Sequence, residues 1–476
     1  MTVRGRTVRE RLVVVGNGMA ATRLVEDLVR REAPYDITVI GDEPHPAYNR
    51  ILLSAVLEEA HRPEDIWLHE PRWYDDHGVR LLLGQRAVRV DRERRRVGLS
   101  DGGGCEYDRL VFATGARPVL PPIRGIVDEF GGLRPDVHAF RSYADYGRLR
   151  EAASTARRAV VVGGGLLGLQ VGRALSVVGV DTEIVEVGPM LMARQLGGSA
   201  ARVLERQVRR LGTEVYTGAR AARLTADGML LDNGYALTTD LVVLACGSRP
   251  ASRLAERAGL FVRRGVVVDD RLTSIIDDRV HAIGDCAEHR ARIHGFVGPA
   301  WEQATTLARV LCGEDAGYSG SRIVARLRAN GLDVAVLGEP ETTDGEVVEV
   351  ANPLAGTYRK LVVKDGVVAA GVLLGDLSRI GVITQHYDRQ TALGAAEPGG
   401  LLLGDSAAAP VTELPDDAQV CVCAGVSAGR IRRCRDVSEA VATTRATTGC
   451  GSCAGSVAQL VDAGANDGSH NAAAAV

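Results

Sequence analysis

Two glycine-rich turns constrain the fold of this chain more than any other feature of its sequence. The first reads Gly-Asn-Gly-Met-Ala-Ala over residues 16–21, the second reads Gly-Gly-Gly-Leu-Leu-Gly over residues 163–168, and each follows a short β-branched run. A strand, a glycine turn and a helix in succession are typical of a βαβ unit that binds a dinucleotide. The phosphates lie at the helix N-terminus, where free N–H groups favour anions. Two such turns predict two dinucleotides, a flavin and a nicotinamide.

The three small positions of each turn have different roles. The first glycine makes the tight turn, the second lets the backbone approach the pyrophosphate, and the third position packs the helix against the strand. These roles fall on Gly16, Gly18 and Ala21 in the first turn and on Gly163, Gly165 and Gly168 in the second. We therefore take all six as candidate cofactor-binding residues.

Acidic residues follow the second strand of each unit, where a carboxylate can accept hydrogen bonds from ribose hydroxyls. In the first unit these are Asp42 and Glu43, and the position favours Glu43. Arg50, a little further on, either neutralises the pyrophosphate or belongs to a solvated turn. In the second unit the acid is Glu186, which predicts NADH rather than NADPH. The nearby Arg194 weakens that preference, so NADPH stays open as an alternative.

Three later segments are also predicted to contact a cofactor. Buried strands end in Ala113-Thr114-Gly115, in Cys246-Gly247 and in Gly284-Asp285. The first and last are expected to lie close to a flavin. Gly247 has the same position in the second unit that Gly115 has in the first. Pro299 is predicted to begin a helix whose positive end faces the flavin and stabilises its anionic reduced form.

Four cysteines near the end of the chain form two tight pairs, Cys421 with Cys423 and Cys450 with Cys453. Such pairs within one small segment predict a metal site. Four thiolates hold either zinc or a [2Fe-2S] cluster, and the spacing alone does not separate them. A segment attached to a flavin and nicotinamide module favours the redox-active cluster. Cys434 and the isolated cysteines Cys105, Cys246, Cys286 and Cys312 are interpreted as packing residues.

Composition excludes several other classes of function. A net charge of −3 gives no reason to expect nucleic acid or an anionic membrane as a partner. No apolar run is long enough to span a bilayer, and the apolar stretch near the N-terminus leads directly into Gly16. We therefore expect a cytoplasmic protein whose cysteines are reduced.

At these residues the chain resembles the pyridine nucleotide–disulfide oxidoreductase superfamily. More narrowly, it resembles the flavin portion of assimilatory nitrite reductase large subunits and of nitrate reductase electron-transfer subunits. The stretches that carry the resemblance begin at Gly16, Tyr48, Gly163, Leu191, Ala282, Trp301 and Gly317, and the last segment is similar to a bacterioferritin-associated-ferredoxin-like [2Fe-2S] domain. Gln170 departs from the pattern, since such families often place Glu there.

The resemblance implies an α/β fold with two Rossmann-like domains of the glutathione-reductase type, a small α+β domain and a short helical [2Fe-2S] domain. The predicted domains are FAD-binding (1–122 and 250–320), NAD(P)H-binding (123–249), α+β interface (321–394), linker (395–419), [2Fe-2S] (420–456) and a disordered tail (457–476). No sirohaem half follows the last cysteines, so we expect no nitrite reduction by this chain alone.

The leading hypothesis is an electron-transfer oxidoreductase that carries FAD, NADH and a [2Fe-2S] cluster. The resemblance implies the catalytic subunit of assimilatory nitrate reductase as the partner, or another redox acceptor protein. One alternative is a ferredoxin or rubredoxin reductase with an added cluster, and another is a nitrite reductase component. An alternative of a different class is a zinc-tailed binding protein that senses NADH. The oligomeric state stays open, with a homodimer among the options.

Overall fold

The computed structural model describes residues 9–393, 398–403, 414–421, 424–447 and 453–462. The chain divides into two compact units, each built around a parallel sheet. The first unit comprises Met1–Arg50, Arg62–Pro118 and Ser248–Ile323, and the second comprises Ile51–His61, Val119–Gly247 and Val324–Val476. Residues 51–61 and 119–122 therefore belong to the second unit, which differs from the predicted continuous segment 1–122.

The first unit is centred on a five-stranded parallel sheet. Its strands, in spatial order, are Val280–Ala282, Arg109–Phe112, Glu10–Val15, Tyr35–Ile40 and Arg80–Leu82. Helices Met19–Arg30 and Val297–Leu311 pack against each other beside this sheet. The central strands are apolar along most of their length because both faces of a parallel sheet are covered.

Smaller elements complete the first unit. A three-stranded antiparallel sheet is formed by Ala87–Asp91, Arg96–Leu99 and Gly104–Glu106. Two further strand pairs join Ala116–Pro118 to Ser248–Pro250 and Val266–Val268 to Ala287–His289. Short helices span Pro71–Asp76 and Arg253–Arg257, and 3-10 turns span Pro63–Ile66 and Gly284–Cys286. One more 3-10 turn, Arg50–Leu52, lies where the chain leaves this unit.

The second unit repeats the parallel-sheet design. Its strands, in spatial order, are Glu214–Thr217, Asp181–Glu186, Arg158–Val162, Leu241–Leu244 and Val137–Ala139. Its helices are Leu53–Leu57, Tyr143–Ala153, Leu166–Val177 and Gly198–Arg210. A three-stranded antiparallel sheet, Ala221–Leu224, Met229–Leu231 and Ala236–Leu237, supplies further core residues.

The α+β part of the second unit is a five-stranded antiparallel sheet with two helices. In spatial order the strands are Val324–Ala329, Leu332–Leu337, Val367–Leu374, Thr357–Lys364 and Glu346–Asn352, and the helices are Ile380–Arg389 and Pro398–Leu403. Strand Val324–Ala329 is the hardest of these strands to recognise in the sequence. That strand carries Arg326 and Arg328 in alternation with buried residues, so its apolar signal is weak. The helix Pro398–Leu403 lies within the predicted linker.

The terminal segment folds around its own apolar cluster. Strand Gln419–Cys421 pairs with Val426–Ser427, and helices follow at Ala428–Arg432, Val437–Thr444 and residues 454–462. The last helix corrects part of the predicted disordered tail, because residues 457–462 are helical and Val457 and Leu460 are buried. Residues 463–476, also predicted to be disordered, lie outside the described part of the chain.

The predicted fold class is confirmed: the structure is α/β with two Rossmann-like domains. Within the described ranges, no helix is both long and apolar enough to cross a membrane.

Candidate functional site

The first glycine turn is shaped by the strand beside it. Gly16 has a φ of 115°, and a Cβ placed there would lie 2.2 Å from the carbonyl oxygen of Ala113, so only glycine fits. Above Gly18, by contrast, a Cβ would meet nothing within 4 Å. Ala21 is buried in the helix that follows. The turn therefore leaves open space over its second glycine, at the N-terminus of helix Met19–Arg30, where a pyrophosphate would approach.

The two acids after strand Tyr35–Ile40 differ in their surroundings. Asp42 lies at the surface and forms an ion pair with Arg86 at 3.1 Å. Glu43 is more enclosed: it accepts a hydrogen bond from the Tyr48 hydroxyl at 2.8 Å and forms an ion pair with Arg50. The Arg50 guanidinium lies 4.9 Å from the centre of the Tyr48 ring. These contacts make Glu43 the more enclosed of the two acids and place Arg50 beside it.

The other predicted flavin contacts lie at the same edge of this sheet. Parallel strands Arg109–Phe112 and Val280–Ala282 are neighbours, so the residues that follow them meet where the first turn begins. The Thr114 hydroxyl donates to the Ala251 carbonyl at 2.8 Å, and Gly115 has open space above it. Gly284 has a φ of 72° and donates its N–H to Gln303 Oε1 at 2.7 Å. Asp285 follows in a half-buried position.

These features together fit a bound FAD in the first unit. The open glycine turn of residues 16–21 (the first cradle), the acid Glu43 and a backbone edge at Gly115 and Gly284 are groups that a flavin dinucleotide requires. The helix expected to face the flavin begins at Val297, two residues before the predicted Pro299, because Phe296 already provides the extended N-cap.

The second turn reproduces the geometry of the first. Gly163 has a φ of 118°, and a Cβ there would lie 2.5 Å from the Ala245 carbonyl oxygen. Nothing lies within 4 Å above Gly165, whereas a Cβ on Gly168 would come within 1.8 Å of the Gly163 oxygen. Gly247 has a φ of 89° and open space above it. The second unit therefore also fits a dinucleotide.

Glu186 ends strand Asp181–Glu186, and its side chain hydrogen-bonds to the second glycine turn. One carboxylate oxygen accepts the Gly164 N–H and the other accepts the Gly188 N–H, both at 2.6 Å. A carboxylate has about four lone-pair positions, so acceptor capacity is left for ribose hydroxyls. Arg194 is exposed. The Gln170 amide donates to the Arg328 carbonyl at 3.5 Å.

The isolated cysteines near the two glycine turns, Cys246 and Cys286, do not have the environment of a nucleophile. Burial, together with the charge of Glu186, raises the pKa of Cys246 to about 11, and its thiol donates to the Val162 carbonyl at 3.3 Å. Burial also raises the pKa of Cys286, whose thiol donates to the Phe112 carbonyl. A nucleophilic cysteine requires the opposite shift, towards thiolate.

Two of the four predicted metal ligands are described by the structure. Cys421 and Cys453 are only 2% and 5% exposed and belong to the same small apolar cluster. Cys423 and Cys450 lie outside the described residues. In the remainder, no group of three or more His, Cys, Asp or Glu side chains is placed to hold a metal ion. Cys434 is buried in the same cluster, and its thiol donates to the Arg430 carbonyl.

Gln303 is a residue of this edge that the sequence pattern did not predict. It is 3% exposed and contacts Gly284 directly, yet it lies on a helix 19 positions further along the chain. The one available signal is a polar residue on the buried face of an otherwise apolar helix.

Comparison with known proteins identifies the family to which the chain belongs. Residues 10–306 match the family model described as pyridine nucleotide-disulphide oxidoreductase, which confirms the resemblance seen in the sequence. Residues 324–390 match the model described as rubredoxin NAD+ reductase C-terminal domain.

Two curated relatives come from Bacillus subtilis (strain 168). A nitrite reductase [NAD(P)H] is 33% identical over 94% of this chain and 56% of its own length. An assimilatory nitrate reductase electron transfer subunit is 32% identical over 94% of this chain and 58% of its own length. The chain thus spans little more than half the length of these relatives. Among solved structures, a ferredoxin reductase from Rhodopseudomonas palustris is 26% identical, with a TM-score of 0.71 over 77% of this chain and 91% of that chain.

Proposed function

Because the chain belongs to the pyridine nucleotide-disulphide oxidoreductase family, we propose that it transfers electrons from NADH through bound FAD and a [2Fe-2S] cluster to a partner reductase. The observation that carries this proposal is the repeated turn geometry, with a closely packed first glycine and open space over the second in each unit. Two cradles of one kind suit two dinucleotides that exchange a hydride.

The side chains and backbone of the chain bind and orient the cofactors. FAD is held by Gly16, Gly18, Ala21, Glu43, Arg50, Ala113, Thr114, Gly115, Gly284 and Asp285. Asp42 contributes from the surface of the unit. NADH is held by Gly163, Gly165, Gly168, Glu186 and Gly247. When bound, FAD supplies the chemistry that accepts a hydride and releases electrons singly. No protein nucleophile is required.

The cluster is assigned to Cys421, Cys423, Cys450 and Cys453. Two of them, Cys421 and Cys453, lie in one apolar cluster of this segment, together with Cys434. A [2Fe-2S] centre suits a flavin donor because it accepts one electron at a time, whereas zinc is redox-inert. The similarity to an electron transfer subunit supports the catalytic subunit of assimilatory nitrate reductase as the acceptor.

A rubredoxin or ferredoxin reductase is the second candidate function. The match of residues 324–390 to a rubredoxin reductase domain favours it. The chemistry up to the flavin is the same in both candidates, so they differ only in the final acceptor.

An anaerobic NADH titration tests the proposal. We expect the flavin absorption band to bleach and a reduced [2Fe-2S] signal to appear in low-temperature electron paramagnetic resonance. Turnover with a nitrate reductase catalytic subunit, compared with rubredoxin, then separates the two acceptors. Flavin bleaching without a cluster signal, and with zinc found by metal analysis, would support the zinc-tailed NADH sensor instead.

A further inference from the structure

Four polar side chains of the first unit, His294, Tyr318, Ser321 and Glu302, form a continuous hydrogen-bonded line. The Tyr318 hydroxyl is 3.1 Å from His294 Nε2 and 2.5 Å from Ser321 Oγ. Ser321 Oγ in turn donates to Glu302 Oε2 at 2.6 Å. Tyr318 is 3% exposed, whereas Glu302 is at the surface. The line therefore runs from solvent at Glu302 to His294.

Counting donors fixes the direction of these hydrogen bonds. The single hydroxyl hydrogen of Ser321 is donated to the Glu302 carboxylate, so Ser321 accepts from the Tyr318 hydroxyl. Tyr318 then has no hydrogen left for His294, and His294 must donate from Nε2. The neutral imidazole consequently carries its proton on Nε2 and its lone pair on Nδ1.

Gln303 joins this line to the flavin-binding edge. Its Oε1 accepts the Gly284 N–H, and its amide also hydrogen-bonds to Tyr318. His294 itself lies three residues before helix Val297–Leu311, the helix whose N-terminus is assigned to the flavin. One network thus contacts Gly284, reaches the start of this helix and ends at the surface.

The surroundings of His294 keep its imidazole neutral. Burial lowers the pKa of His294, and the nearby Arg292 and His289 lower it further. His289 is held by Asp270 at 2.8 Å and packs against the Tyr318 ring. Burial raises the pKa of Tyr318, so its hydroxyl stays protonated at neutral pH.

We propose that His294, Tyr318, Ser321 and Glu302 form a proton relay between the flavin-facing edge of the first unit and solvent. The inference rests on the proposed function, because oxidation of NADH with export of two electrons leaves NAD+ and one proton. His294 takes up that proton at Nδ1 and releases the Nε2 proton to the Tyr318 oxygen. Tyr318 passes its own proton to Ser321, and Ser321 passes its own to Glu302. One proton enters and one leaves, at distances suited to proton transfer.

Tyr318→Phe and Ser321→Ala test the relay, since each removes one hydroxyl and little else. The FAD-loaded protein is reduced by one equivalent of NADH without oxygen and mixed with ferricyanide in weak buffer that contains a pH indicator. We expect proton release to slow about tenfold or more in both variants. Reduction by NADH should keep its rate, because hydride transfer releases no proton to solvent.

Thr305→Val is the matched control. Thr305 lies on the same helix as Glu302, and its hydroxyl donates to Asp27 at 2.6 Å, away from the relay. This variant should release its proton as fast as the unaltered protein. Proton release at the unaltered rate in both Tyr318→Phe and Ser321→Ala would overturn the relay.

A second readout needs no flavin and no turnover. Carbon-13 and nitrogen-15 shifts of labelled histidine, with His294 assigned through His294→Gln, report its tautomer. We expect Nε2–H at neutral pH and a changed titration of this imidazole in Tyr318→Phe. An Nδ1–H tautomer would overturn the relay even if NADH reduces the flavin normally. Failure of NADH to bleach the flavin, with Nε2–H observed, would count against the proposed function and leave the relay geometry supported.

Discussion

Glu186 shows how one residue can both shape a turn and select a ligand. Its two oxygens hold the Gly164 and Gly188 N–H groups, so the carboxylate is fixed before any nucleotide arrives. A fixed negative charge at this position repels a 2′-phosphate and accepts a 2′-hydroxyl. In the proposed function, nicotinamide preference therefore depends on a side chain that the fold has already oriented.

Glu186→Arg should reverse this preference. We expect the ratio of kcat/KM for NADH to that for NADPH to fall about tenfold or more, since tenfold corresponds to roughly 1.4 kcal/mol of differential binding. Glu186→Gln is the control, because it removes the charge and keeps one carbonyl acceptor. An unchanged ratio in the arginine variant would contradict the role of this acid.

His281 makes the first unit sensitive to acid. It is fully buried on strand Val280–Ala282, with Nδ1 beside the Thr273 hydroxyl, and burial lowers its pKa from 6.5 to about 3. Below pH 6.5 the unfolded chain binds a proton that the folded chain does not. The free energy of unfolding therefore falls as the pH decreases from about 6.5 towards 3, and the full contribution is present above that window.

His281→Asn should flatten this dependence. The expected loss of slope is at most about 1.4 kcal/mol per pH unit, the value for one proton. Urea unfolding at several pH values between 4 and 7 measures it, with the exposed His77→Asn as a control that keeps the slope. Equal slopes in the His281 variant and the unaltered protein would refute the assignment.

Local sequence predicted the turn glycines but not Gln303 or Tyr318. The glycine roles follow from spacing within six residues, so they can be derived without tertiary structure. Gln303 matters because it accepts the Gly284 N–H, and Tyr318 because it connects His294 to Ser321. Such partners are set by packing of separate elements, which no local pattern encodes.

At the level of helices and strands, Gly168 and Gly165 separate packing from ligand approach. A Cβ on Gly168 would overlap the Gly163 carbonyl oxygen. Because glycine has no Cβ, helix Leu166–Val177 can pack this closely against the turn. Gly165 has an ordinary φ of −82° and empty space above it. The same substitution at the two positions therefore has two different consequences.

Gly168→Ala should lower the free energy of unfolding by about 1–3 kcal/mol, the usual cost of overpacking. Gly165→Ala should fold with a loss below about 1 kcal/mol but bind NADH more weakly, because its methyl group occupies the space above the turn. Denaturant unfolding and NADH titration of both variants measure the difference. Equal destabilisation by the two variants would contradict this division of roles.

Element boundaries were harder to predict than element types. At the start of helix Val437–Thr444 the sequence offers two capping residues, Asp436 and Ser438, and in the structure Asp436 is the cap and accepts the Glu439 N–H. Both residue types cap helices well, so the sequence offered two equivalent starts. Helix Val297–Leu311 begins two residues ahead of Pro299, with the extended Phe296 as its N-cap.

For the whole molecule, the proposed route of electrons places flavin reduction before the terminal cysteines. Cys450→Ser should therefore abolish electron delivery to the partner reductase and spare reduction of the flavin by NADH. Stopped-flow absorption and partner turnover measure the two steps separately. Cys434→Ser is the control and should retain both, because its thiol hydrogen-bonds within its own helical segment. Equal loss of both steps in Cys450→Ser would contradict a terminal cluster.

The matching geometry of the two glycine turns has a consequence for selectivity. FAD and NADH share an adenosine diphosphate half, and a turn that contacts only phosphates cannot tell one molecule from the other. We therefore expect free ADP to compete for both glycine turns. What distinguishes a permanent cofactor from an exchanging substrate must lie beyond the phosphates, in the contacts that each unit offers to the isoalloxazine or the nicotinamide.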